Sequence, residues 1–177
     1  MPERAEIQTS LDLKPLPIPY PAVKREDGEN FGYKSLVNSP AVIDEIPELF
    51  DEPAIKRFIA HVNSPNRNFE TVRMLHWMNP ESANSEQILC FGFIFRNREL
   101  FSDFSACMQF AGALLQYDIK KLIQLDRPCL LEIQQAQLLH ENVSGWIMDL
   151  FVSGGGASED EARQRLGQIL NTMQSIF

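Results

Sequence analysis

Gln87-Ile88-Leu89-Cys90-Phe91-Gly92-Phe93-Ile94-Phe95 runs straight into Arg96-Asn97-Arg98-Glu99-Leu100-Phe101-Ser102-Asp103-Phe104-Ser105-Ala106-Cys107-Met108. The first part is apolar at almost every position, the mark of a strand covered on both faces. From Leu100 onward the apolar residues change to helical spacing: Leu100, Phe104, Cys107, Met108, Ala111, Leu114 and Leu115. A buried strand feeding a buried helix, capped by Ser102 or Asp103, is the expected centre of the fold. Asp126-Arg127-Pro128 is the expected stop of that helix.

The reading extends outward from that centre. Phe69–Met78 reads as a strand, with Val72, Met74 and Met78 toward one face and Phe69, Leu75 and Trp77 toward the other. It pairs with the central strand as a hairpin across the polar stretch Asn79–Glu86. Before it, Ser39-Pro40 starts one helix, and a second spans about 52–62 with Ile55, Phe58, Ile59 and Val62 on one side. After the central helix, Cys129–Ile133 and Trp146–Val152 read as strands around a turn at 141–145. Residues 134–140 are compatible with an extension of the first of these. Gly154-Gly155-Gly156 reads as a hinge. Ser158 and Glu161 then form a capping box for a last helix bearing Ala162, Leu166, Ile169, Leu170, Met173 and Ile176 on one side.

Residues 1–35 differ in kind. Pro15, Pro17, Pro19 and Pro21 alternate with Leu16, Ile18, Tyr20 and Ala22, which excludes helix and favours extended backbone. The segment reads either as a loose leader or as a docking arm whose alternate side chains fill depressions on this chain or on a partner. The expected fold is therefore α+β: an extended arm over 1–35, then one domain over 36–177 in the order α-α-β-β-α-β-β-α. About four strands form a mostly antiparallel sheet packed with helices.

The composition narrows the function. The net charge is −8, which opposes binding to phosphate backbones, so no nucleic-acid partner is expected. No apolar run reaches the ~18–20 residues of a membrane span, and the first residues lack an apolar signal region; a cytoplasmic location is expected. Cys90, Cys107 and Cys129 are widely separated and sit among apolar neighbours, as free structural thiols do. His61, His76 and His140 share no ligand spacing, and neither a metal nor a cofactor is expected. Nucleophile motifs are missing, and the acids at 159–161 would repel phosphate from the glycine run. No catalytic residue is assigned, and the balance leans away from an enzyme.

Three constellations remain. Arg96 and Arg98 flank the helix start, and Arg73 joins them if the hairpin register allows; together they would grip a small anion. Asp149 interrupts an apolar strand and shares a face with Ile147 and Phe151. Since a lone buried carboxylate is costly, Asp149 must either find a partner or lie on an exposed edge; the exposed face is the favoured expectation, with Ile147, Asp149 and Phe151 turned to a partner. The arm residues Leu16, Ile18 and Tyr20 are the second expected partner contact. The sequence thus favours a protein-binding module of chaperone, immunity-protein, adaptor or assembly-subunit type. Its partner would be another protein, basic if the acids steer it, or a second copy of the chain. Two other readings stand behind it: an anion-binding protein or enzyme built on the arginines, and an acidic mimic of nucleic acid built on the acids of 44–52 and 159–161.

Overall fold

The strand at the centre of the sequence lies inside a mixed sheet, with a strand paired on either side. The computed structural model describes residues 6–11, 14–25, 28–79, 85–122 and 130–177, and only the backbone of residues 25, 28–30 and 115–122. The strands and helices are β1 (Glu6–Ser10), β2 (Leu16–Ile18), β3 (Val23–Arg25), β4 (Gly28–Asn30), α1 (Pro53–Val62), β5 (Phe69–Asn79), β6 (Ser85–Phe95), α2 (Arg98–Ser102), α3 (Phe104–Leu122), β7 (Leu130–Leu138), β8 (Val143–Gly156) and α4 (Glu159–Met173). Two 3-10 turns, Pro40–Glu45 and Pro47–Leu49, precede α1. Asp126–Cys129, where the stop of the central helix and the start of the next strand were expected, lie outside the described residues.

The sheet order is β1-β7-β8-β6-β5, with β2 also paired to β7. Strands β5 to β8 pair antiparallel, as expected, while β1 and β2 run parallel to β7. The sheet has six strands, not about four, because the proline-marked segment supplies two of them. Proline is tolerated there because β2 lies at the edge, where Pro17 has no second neighbour to satisfy.

One face of the sheet is closed by helices. Phe91, Phe93 and Phe95 of β6 meet Phe58 of α1, Phe110 of α3 and Phe177. The Phe58–Phe91 centroids lie 5.0 Å apart and the Phe93–Phe177 centroids 4.9 Å, both edge-to-face. Helix α4 approaches β8 so closely that a Cβ at Gly154 would lie 2.4 Å from both Ala162 O and Leu166 N. The glycine run expected to be a hinge is thus the end of β8, and Gly154 is there to admit a helix backbone. Ser158 Oγ accepts the Glu161 N–H at 3.3 Å, and Glu161 Oε2 accepts the Ala157 N–H at 2.8 Å, so the expected cap starts α4.

A register shift in β5 between Thr71 and Arg73 changes which residues face those helices. Phe69 now shares the helix face with Met74, His76 and Met78, while Glu70, Arg73, Leu75 and Trp77 share the other. The sequence alternation had put Phe69 with Leu75 and Trp77; one inserted residue reverses that. Asn63 secures the entry to β5: its side-chain nitrogen donates to Ile59 O and Thr71 Oγ1, and its Oδ1 accepts the Thr71 N–H.

The second face is closed over only part of its area, by Phe101 of α2 over Gly145 and by arm residues from β2 to Tyr33. Ile18 is 2% exposed, Tyr20 donates to Val72 O at 2.9 Å, and Tyr33 donates to the Glu70 carboxylate.

Candidate functional site

Strand pairing sets Arg73, Gly92, Asp149 and Glu132 side by side on the arm-covered face, one from each of four strands. Arg73 Nε donates to Asp149 Oδ1 at 2.6 Å and Nη2 donates to Oδ2, a two-pronged pair. Gly92 stands between the partners. A Cβ there would lie 2.5 Å from Asp149 Oδ1 and 2.7 Å from Arg73 Cγ. The missing side chain is what lets a guanidinium reach across a strand. Gln134 Nε2 adds a third bond to Asp149, to Oδ2 at 2.9 Å.

Asp149 is 0% exposed, and so is Ile147. The exposed strand face expected at Ile147 and Asp149 is therefore not formed. The carboxylate avoids the cost of lone burial by pairing, not by facing water. Burial works against the Arg73 charge, but Asp149 more than offsets it and holds that guanidinium above its ordinary pKa. Burial, reinforced by the Asp149 charge, pushes the half-buried Cys90 thiol up to about 12. It stays protonated at neutral pH and is a poor nucleophile. Burial likewise pushes the Tyr20 phenol up to about 12. The cluster is a mutually satisfied pair under a tyrosine; it supplies neither a free base nor a free cation.

The arm residues dock on this chain. Leu16 and Ile18 pair with Ala136 and Leu138 of β7, Ile18 is buried, and Tyr20 lies near the Arg73–Asp149 pair. Ile18 is thus core here, not a contact held out to a partner.

The three arginines do not converge. Arg73 is paired with Asp149. Arg98 makes a two-pronged pair with Glu141, Nη2 to Oε1 at 2.7 Å. Arg96 Nε donates to Phe69 O at 2.7 Å, and burial lowers its pKa. Register explains the separation, since Arg73 sits opposite Gly92, well inside the sheet, whereas Arg96 and Arg98 lie beyond its end. Three of the acids expected to mimic phosphates are also used locally. Asp44 pairs with Lys56, Glu52 accepts from Gln87 at 2.7 Å and lies 3.5 Å from Arg163, and Glu161 pairs with Arg165 at 2.9 Å.

Below the polar row the arm-covered face is open. Leu75, Cys90, Phe151 and Leu130 form one cross-strand row, and Trp77, Ile88 and Ser153 form the next. Leu75 is 64% exposed and Trp77 40%, while Cys90, Phe151, Leu130 and Ile88 are half-buried. Of the residues expected to meet a partner, Phe151 alone lies in this open part. Leu75 and Trp77 were read as ordinary strand positions. A stretch of β5 free of lysine and proline, with two large apolar residues two apart, was the available signal.

Among the described residues, no group of three or more His, Cys, Asp or Glu is placed to hold a metal ion, and no helix is long and apolar enough to cross a membrane. Compared with known proteins, the chain matches no protein-family model, no curated protein and no solved structure.

Proposed function

We propose that this chain is a non-enzymatic protein-binding module, of chaperone, immunity-protein, adaptor or assembly-subunit type, that receives another protein on the open part of the arm-covered face. One observation carries the reading: Leu75 and Trp77 stand 64% and 40% exposed in contiguous apolar rows. A contiguous exposed patch of this kind marks interaction surfaces more often than a scattered apolar residue does. Covering both side chains would contribute about 3 kcal/mol before the cost of association is subtracted. We also infer a cytoplasmic location, which the free thiols of Cys90 and Cys107 favour.

The test is a paired capture from extract of the source cell. Wild type and a Leu75→Ser, Trp77→Gln double variant are used as baits after their thermal stabilities have been matched. A protein retained by wild type and released by the variant supports the reading. Identical retention profiles at equal stability sink it.

A further inference from the structure

We propose that the open part of the arm-covered face seats a single basic amphipathic helix of the partner protein. This rests on the protein-binding reading above and adds the shape and charge of what binds.

Shape comes first. Four neighbouring strands about 4.8 Å apart make the Leu75–Leu130 row about 14 Å long. The Trp77 row lies about 7 Å further along the strands. An α-helix about 10–12 Å across covers that area, and two side by side do not. A sheet face left bare by its own chain is closed most economically by a helix. An added strand is the other way to dock on a sheet, but the free edge of β5 is obstructed. Asn63 occupies it at Thr71, and the Tyr20 hydroxyl takes Val72 O, so an incoming strand meets occupied backbone groups there.

Charge comes second. Arg73 is neutralised by Asp149. The charges left along the border are Glu132, which accepts from Ser10 Oγ at 2.5 Å, and Glu6, opposite Leu130, which accepts from Gln8. Neither has a cationic partner among the described residues. An apolar floor with a carboxylate border, on a chain of net charge −8, complements Leu-like residues flanked by Lys or Arg. A second copy would bring the same carboxylates against each other, and an anionic membrane would be repelled.

The experiment uses the full chain and three designed peptides of about 18 residues, long enough to hold a helix. One is a Leu/Lys amphipathic helix, one is its scrambled isomer, and one is a Leu/Glu helix of the same pattern. Trp77 fluorescence is read in a Trp146→Phe variant, and calorimetry on wild type repeats the titration in case that variant folds poorly. The inference expects saturable binding of the Leu/Lys helix, a blue shift of Trp77, and affinity that falls with salt. It also expects roughly tenfold loss in Leu75→Asp and in the Glu6→Gln, Glu132→Gln pair. Equal binding of the scrambled or Leu/Glu peptide overturns it, as does binding without a Trp77 shift or a concentration-dependent shift with no peptide. Should the Leu/Lys helix fail while a captured protein still depends on Leu75 and Trp77, this inference falls and the protein-binding reading stands. Should both fail, both fall.

Discussion

The helix-covered face of the sheet is filled with phenylalanine rings and sealed by α1 and α4. The opposite face carries a part-buried ion pair, is covered over part of its area by the arm and by Phe101 of α2, and is bare over the rest. Both are faces of the same strands, so the difference is not one of backbone. It lies in what closes each face. The first is held chiefly by buried apolar area, which is non-directional, with ring packing added to it. The second is held by groups that must meet in one geometry, since an unpartnered member of a buried pair costs several kcal/mol. A face held that way can leave its remaining area uncovered without loosening the core.

Four measurements bear on this contrast, beginning with the largest effect. Phe91→Ala removes a ring that touches Phe58, Phe93 and Phe177, and should lower stability in urea by about 4 kcal/mol. A cost under about 1 kcal/mol would mean that the aromatic side is not the chief support. Asp149→Ala strands Arg73 and Gln134 and should cost about 3 kcal/mol, most of it recovered in an Arg73→Met, Asp149→Leu double variant. Failure of the double variant to recover would show that the polar row has support of another kind. Ile18→Ala probes the covering segment, and its loss of buried side chain should cost about 2 kcal/mol. No change there would mean that the segment does not hold the arm-covered face closed.

The smallest effect lies outside both faces. The Arg98 hydrogen bond beside Glu141 lowers its carboxyl pKa. A carboxyl depressed in the folded state adds stability above its unfolded pKa of about 4.3 and loses it as pH falls through the folded value. Glu141→Gln should therefore cost a few tenths of a kcal/mol at pH 7, because the pair is exposed, and the difference should vanish in acid. Urea midpoints of the two proteins at pH 7 and pH 3 check it. A gap that widens in acid would reverse the sign of the argument.

Local rules recovered most of the elements. Helix α1 buries Ile55, Phe58, Ile59 and Val62 as the 3.6-residue period required, and α4 starts at the capping box. Asp103 Oδ1 accepts the Ser105 N–H at 2.8 Å, a cap visible in the sequence. What stayed hidden depends on register between distant strands. Nothing near Arg73 in the chain tells that Gly92 will lie opposite it and Asp149 beyond that. Nothing near Val72 announces the shift that turns Phe69 toward the helices. The parallel pairing of β1 and β2 with β7 joins residues more than 110 positions apart, a distance at which composition and period are silent. Asp149 was rightly read as an anomaly. Of its two remedies, a partner or exposure, the sequence reading favoured exposure, because the partner that satisfies it comes from another strand.

The free margin of β5 is plugged at Thr71 and Val72 by Asn63 and Tyr20, from two separate parts of the chain. Open, greasy strand margins are how soluble proteins begin to polymerise into cross-β fibrils. Blocking the start of that margin should lower the tendency of a strand that displays an indole and a leucine to seed amyloid. Loosening the plugs, for instance by Asn63→Ala, should appear first as a shortened lag in thioflavin assays and only later as lost fold.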